Sequence, residues 1–361
     1  MRIVLFAEPL EKQQAGIHVY TREMIRALLK HDGENEYILL RSKRDHFFPE
    51  AEQVVVPNVF KLMRNDPLRL MLNVPQVLRK LKPDWVVEPA QFGPIRFPAK
   101  SKKISICHDL TPLLFPEWHT RTSSILQRMF LKNIYERTDW IIANSDNTRK
   151  DLLEMNPKLA PKIRRIYPGL SEAYEGMASV EGKREDYFVH LGTLEPRKNI
   201  PGIIEAFDRF KLETGAATKL HLVGAKGWRL AETMARLEAS PFRSDIELFG
   251  FLREEEVAAQ LLWAKAFVLN SHYEGFGFPL LEAMHFGTPC LVAKNSSLTE
   301  VGGEAVIYHH DQVELVQNMK KFEGTTSIDP AQVKKQAAQF TWKNYVNEFK
   351  ELLAKDLPVE A

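Results

Sequence analysis

Short runs of apolar residues alternate along this chain with stretches whose apolar positions recur every three or four residues. The first series of runs covers residues 3–6, 37–40, 85–87, 104–107 and 140–143, with amphipathic stretches such as 19–29 and 124–135 between them. Continuous apolar strands separated by helices predict a parallel sheet covered on both faces. A second series begins at 187–191 and continues through 220–223, 246–249, 266–269, 289–292 and 305–308, predicting a second doubly wound sheet. The reading is therefore α/β, with one domain over 1–170 and another over 187–340. The stretch 171–186, rich in Gly, Ser, Glu and Ala, reads as a linker. A last helix around 342–355, within a tail of 341–361, is expected to pack back on the first domain. Two such domains joined by a hinge place a cleft between the carboxyl ends of their sheets, where folds of this kind bind ligands.

The length of 361 residues suits two cores better than one. The net charge of +2 gives no reason to expect a nucleic-acid partner, yet the charge is uneven. Residues 1–175 carry a net +7 and residues 176–361 a net −5. This fits either different partners for the two halves or ordinary surface variation. The two cysteines, Cys107 and Cys290, sit in apolar, strand-like surroundings and lack metal-site spacing. Lone buried thiols fit a reducing compartment. The chain opens on a strand-like run without a signal-peptide pattern, and no run is long enough to span a bilayer. The expectation is a cytoplasmic protein, free to dock at the inner face of the membrane.

Two segments carry the chemistry. In Leu191-Gly-Thr-Leu-Glu-Pro-Arg-Lys-Asn199 an apolar strand runs into Gly192 and Thr193, then a short loop, then a helix. Gly192 permits close backbone approach. Arg197 and Lys198 offer what a diphosphate needs, a bidentate guanidinium and a mobile ammonium. In Tyr273-Glu-Gly-Phe-Gly-Phe-Pro-Leu-Leu-Glu282, two glycines and a proline lead into a helix whose first amides form an anion site. A carboxylate beside phosphate is repelled unless it has hydroxyls to bind, and sugars supply them. Taken singly, the Arg-Lys pair also fits a solvated loop, and Glu282 also fits helix-end charge complementarity.

With these residues in view, the chain resembles the group 1 (family 4) glycosyltransferases of the GT-B fold, built of two Rossmann-like domains facing across a cleft. The resemblance rests on Glu274 and Glu282 with seven residues between them, on the upstream Gly-Thr-Leu-Glu-Pro-Arg-Lys-Asn segment, and on Ser297-Leu-Thr-Glu-Val-Gly-Gly303 downstream. It covers nearly the whole chain. Thr299 stands where the family usually has proline. The resemblance implies that Arg197 and Lys198 bind the donor diphosphate and that Glu282 binds the ribose. It implies that Glu274 and the amides of Gly275, Phe276, Gly277 and Phe278 hold the transferred sugar, and that the backbone of Phe251 and Leu252 contacts the base. It further implies retention of anomeric configuration without a metal, and the sequence has no Asp-x-Asp pair. No cofactor is expected beyond the nucleoside diphosphate sugar used as substrate.

In the first half, His108 and Asp109 follow a strand, and similar pairs in the family sit near the donor sugar. His108 fits equally a satisfied histidine of the cleft wall. Gly16, in Gln13-Gln-Ala-Gly-Ile-His18, matches a glycine-rich loop that approaches the phosphates in relatives. With one glycine only, this loop argues against a dinucleotide site. The basic amphipathic stretch 58–82 fits either a membrane surface or a core-facing helix with a solvated basic face. The run His108-Asp-Leu-Thr-Pro-Leu-Leu-Phe-Pro-Glu-Trp118 is similar to bacterial polysaccharide mannosyltransferases. The expected donor is GDP-mannose, with a UDP-hexose second. The acceptor is expected to be a saccharide or lipid-linked saccharide of surface polysaccharide synthesis. A nucleotide-sugar epimerase and a catalytically silent nucleotide-sugar-binding subunit are the alternatives.

Overall fold

The computed structural model describes residues 1–12, 15–44, 47–57, 69–91, 100–177, 184–323 and 328–355. The chain divides into two compact units, Met1–Gly169 with Thr341–Ala361, and Leu170–Phe340.

The first unit holds a seven-stranded sheet. Its strands are β1 (Arg2–Phe6), β2 (Glu36–Arg41), β3 (Glu52–Val55), β4 (Trp85–Glu88), β5 (Lys102–Cys107), β6 (Trp140–Ala143) and β7 (Ile163–Arg165). They lie in the order β3-β2-β1-β4-β5-β6-β7, every neighbouring pair parallel. The central strands are buried along nearly their whole length, as expected for a sheet covered on both faces. The two outermost strands, β3 and β7, were not among the expected runs. They are short and polar, reading Glu-Gln-Val-Val and Ile-Arg-Arg, and each pairs on one side only. The helix Trp342–Ala354 also belongs to this unit. Thr341 caps it by accepting from the Asn344 amide, and Tyr20 of the helix Ala15–His31 meets Tyr345 at 2.9 Å between hydroxyls. Gly169 is required where the chain returns, since a Cβ there would lie 2.3 Å from the Trp342 amide nitrogen.

The second unit holds a six-stranded parallel sheet. Its strands are β8 (Tyr187–Leu191), β9 (Lys219–Val223), β10 (Ile246–Gly250), β11 (Ala266–Leu269), β12 (Cys290–Ala293) and β13 (Ile307–His309), in the order β10-β9-β8-β11-β12-β13. Its core joins Phe188, Ile203, Phe207, Phe210, Leu220 and Val268 between the sheet and the helix Ile200–Thr214. The described part of 171–186 lies in this unit. Tyr174 packs edge-on against Phe286, and Arg184 donates to the carbonyls of Leu262, Ala264 and Gly287.

Both sheets reverse strand order at one point, between β1 and β4 and between β8 and β11. The carboxyl ends beside such a reversal diverge and leave a crevice, the usual ligand position in open α/β sheets.

Candidate functional site

In the second unit the residues following β8 and β11 come together at this reversal. After β8 the chain passes through Gly192 at φ +147°, and the amides of Gly192 and Leu194 donate to the carbonyls of Val223, at the end of β9, and Ala225, just past it. Here backbone meets backbone so closely that a Cβ on Gly224 would lie 2.0 Å from the Gly192 carbonyl oxygen. A short turn, Pro196–Lys198, follows. Asn199, at φ 50°, then caps the helix Ile200–Thr214 by accepting from the Gly202 amide at 3.2 Å. The turn is tied to the loop after β11 by the His272 amide, which donates to the Arg197 carbonyl at 2.8 Å.

These two loops build an ionic cluster. Lys198 Nζ donates to Glu274 Oε1 at 2.6 Å, and Arg197 donates to Glu274 Oε2. Arg197 is further held by Glu195, at 2.6 Å, and by the Tyr273 carbonyl at 2.9 Å. Ser271 donates to Glu274 Oε1 at 2.7 Å. Burial alone would raise the Glu274 carboxyl, but Arg197 and Lys198 outweigh it and hold the group down at about 2. Both cations are thus internally paired. Their capacity differs. Arg197 is committed to three acceptors, whereas Lys198 has three N–H protons and one described acceptor, leaving donors for a phosphate.

The backbone after Glu274 is fixed by two serines. Ser296 accepts from the Glu274 amide at 2.9 Å, and Ser297 shares its hydroxyl proton between the carbonyls of Glu274 and Phe276, at 2.8 and 2.9 Å. Gly277, at φ +104°, opens the helix Phe278–His285. The amides of Gly277 and Phe278 donate to no described residue, as befits a helix start with anion capacity. Gly275 and Phe276 are buried and have partners of their own. One turn into the helix, the partly buried Glu282 carboxylate makes no hydrogen bond to a described residue. Burial, and then the nearby Glu254, push it up to about 8. Thr193 and Leu252 are half-buried, and Phe251, following β10, is 79% exposed with its ring open to stacking.

His190 and Ser271 were absent from the expected set. His190 lies near the end of β8, fully buried, with Nδ1 3.0 Å from the Val268 carbonyl, so Nδ1 carries the proton. Its Nε2 has no partner in the structure, and burial pushes the ring down to about 4, keeping it neutral beside Lys198. A histidine inside an apolar strand run reads as core, and only the proximity of Lys198 distinguishes it.

In the first unit the expected residues are largely spent on local structure. His108 follows β5 and donates from Nε2 to the Pro89 carbonyl at 2.6 Å, with Tyr20 packed edge-on at 4.7 Å. Burial lowers its pKa, so the ring is neutral near pH 7, with Nδ1 uncommitted. Asp109 accepts from the amide and hydroxyl of Thr111, at 2.9 and 2.6 Å. Gly16 lies in the first turn of the helix Ala15–His31 rather than in a loop, with nothing within 4 Å of where a Cβ would stand. Of the stretch 58–82, residues 58–68 lie outside the described residues. The rest forms a turn at Arg69–Asn73 and the helix Val74–Leu81, which buries Val74, Pro75 and Leu78. Among the described residues no three His, Cys, Asp or Glu side chains form a metal-type group, and no helix is long and apolar enough to cross a membrane.

Two doubly wound units, each reversing strand order once, are the architecture of the GT-B fold. Two family models match, the Glycosyltransferase Family 4 model over residues 15–173 and the Glycosyl transferases group 1 model over 177–340. The chain belongs to the group 1, family 4 glycosyltransferases. It is 25% identical over 377 residues to O-antigen chain mannosyltransferase B of Escherichia coli, covering 95% of this chain and 97% of that protein. It is 28% identical to the serotype-specific mannosyltransferase WbdA of Escherichia coli over 67% of this chain, which spans 32% of that protein's length. In fold it is similar to Anabaena Alr3699/HepE, solved in complex with UDP and glucose, with a TM-score of 0.73, 16% identity and 99% and 100% of the two chains covered. Sucrose-phosphate synthase from Thermosynechococcus elongatus gives the same TM-score at 16% identity, with 98% of each chain covered.

Proposed function

We propose that this glycosyltransferase moves a hexose from a nucleoside diphosphate sugar to a hydroxyl of a saccharide or lipid-linked saccharide in bacterial surface polysaccharide synthesis. The mannosyltransferase relatives favour mannose as the sugar, and GDP-mannose is the proposed donor. The observation that carries the reading is the Arg197–Glu274–Lys198 cluster beside the free amides of Gly277 and Phe278. As the glycosidic bond breaks, negative charge gathers on the departing diphosphate. Lys198 and the two amides answer that charge, each donor worth about 2.7–4 kcal/mol if it acts as an oxyanion-hole group does. Arg197, anchored by Glu195 and Glu274, sets the position of Lys198 and adds to the local field. Glu282, which makes no hydrogen bond to a described residue, takes the ribose hydroxyls. Glu274 and the backbone through Phe278 hold the sugar, and the exposed Phe251 lies by the base. In the first unit His108 Nδ1 is an acceptor for a sugar hydroxyl. Glu274 is held by Arg197, Lys198 and Ser271, which weakens it as a nucleophile and supports same-face attack with retention, the leaving phosphate taking the acceptor's proton. No metal is required.

A panel of nucleotide sugars, read by nucleotide release and by thermal shift, tests this. GDP release and stabilisation with GDP-mannose alone are expected. Response only to UDP-hexoses overturns the donor and leaves the transferase reading intact. A product that stays nucleotide-linked on chromatography indicates an epimerase, and binding without any turnover indicates a silent subunit. The anomeric proton coupling of the product tests retention.

A further inference from the structure

We propose that the outer face of the helix Arg121–Glu136, in the first unit, docks on an anionic lipid bilayer. This helix has two apolar faces. One is used: Leu131, Ile134 and Tyr135 are buried against Cys107, Leu110, Ile141 and Leu152. The other is open: Ile125 is 57% exposed, Leu126 46%, Met129 60% and Phe130 36%. At 100° per residue these four occupy one continuous stripe, Ile125 over Met129 and Leu126 over Phe130. Side chains of this size are normally scattered singly over a surface, and a contiguous group marks an interaction site.

The charge beside the stripe selects the partner. Arg121, Arg128 and Lys132 fall within a narrow sector along its edge, all three exposed, and none pairs with a described acid. The sheet of this unit lies in the half of the chain that carries the net +7. An apolar stripe edged by cations is the arrangement of a helix lying in the lipid interface, apolar side chains among the acyl chains and cations at the phosphates. A protein partner would bury the stripe equally well, but it would give no reason for three unpaired cations along one edge. The stretch 58–82, read from the sequence as the basic amphipathic candidate, exposes only Met71 and Leu72 among its described large apolar residues.

The test is cosedimentation of the full chain with phosphatidylcholine vesicles, with and without phosphatidylglycerol, at low and high salt. Binding to the anionic vesicles, weakened by salt, is expected. Ile125→Ser with Met129→Ser should cut the partition coefficient by about tenfold or more. Arg128→Glu with Lys132→Glu should abolish the preference for phosphatidylglycerol. All four side chains are exposed, so the melting midpoint and transfer to a water-soluble acceptor should stay at the wild-type level. Should the serine pair fail to fold, the charge pair still decides. No binding by the wild type, or equal binding by both variants, overturns the proposal. So does a dimer seen by sedimentation velocity that the serine pair dissociates while vesicles are ignored, since the face is then a contact between copies.

Discussion

The two sheets share one strand order, yet their carboxyl edges are furnished differently. In the first unit, Asp109 is consumed by Thr111, His108 donates to Pro89, and Gly16 is an ordinary helical residue. In the second, a buried carboxylate gathers two cations while, among the described residues, Lys198 protons, two helix amides and the Glu282 carboxylate have no hydrogen-bond partner. Topology supplies a crevice twice, and local chemistry favours one of them as the proposed site for an anion. The lesson is that uncommitted donors, rather than charged residues as such, mark a site, because a group already satisfied gains little from a ligand.

The largest effect that would sharpen this contrast is expected from Lys198→Ala. Turnover should fall by about 10²–10³ with saturating donor, since the lost group answers charge that develops on the leaving diphosphate. Stability should fall too, because Glu274 keeps only Arg197 as a cationic partner. Near wild-type turnover would remove the site from this edge.

Glu282→Ala should act on binding, raising KM about ten- to a hundredfold with little change in kcat, as expected for a charged hydrogen bond of roughly 1.5–3 kcal/mol made alike in ground and transition states. A collapse of kcat with an unchanged dissociation constant would instead assign Glu282 to the reacting sugar. The two glutamates also differ in pH response. Glu274, held at about 2, adds stability that is complete above the ordinary carboxylate range and is lost as pH falls toward 2. Glu282, pushed up to about 8, contributes in the opposite sense. Its share is complete at acid pH and drains away as pH rises toward 8. Ribose hydroxyls favour the ionised carboxylate, so donor binding at pH 7 should release a proton. Calorimetry in buffers of different ionisation enthalpy checks this, and Glu282→Gln should abolish it.

The glycines offer a smaller test. Gly192→Ala must strain a backbone at φ +147° and crowd Lys198 Cε at 3.3 Å, so both activity and stability should drop. Gly16→Ala meets open space inside a helix and should stabilise by roughly 0.5–1 kcal/mol with activity retained. A strong loss of activity in Gly16→Ala would support the reading that this segment approaches the phosphates. The smallest effect is expected from chelation. EDTA should leave turnover unchanged, and a loss restored by Mg²⁺ or Mn²⁺ would replace the cation-and-amide account.

By itself the sequence determined the two parallel sheets, because strands buried on both faces must be apolar along their length and so are visible as runs. It also marked Arg197, Lys198, Glu274 and Glu282, which a resemblance to the family singles out as candidates for holding a diphosphate and sugar hydroxyls. It did not reveal β3 and β7, since an edge strand of three or four residues needs little apolar surface to pair on one side. Tertiary structure alone decided that Glu274 reaches Lys198 across 76 residues, that Glu282 makes no hydrogen bond to a described residue, and that Asp109 is spent on Thr111. It also decided which apolar face of the helix Arg121–Glu136 is buried, for a helix apolar on two sides carries the same periodic signal for both. Pairing and exposure depend on what lies opposite in space, and a one-dimensional pattern holds the identity of each group without the identity of its neighbour.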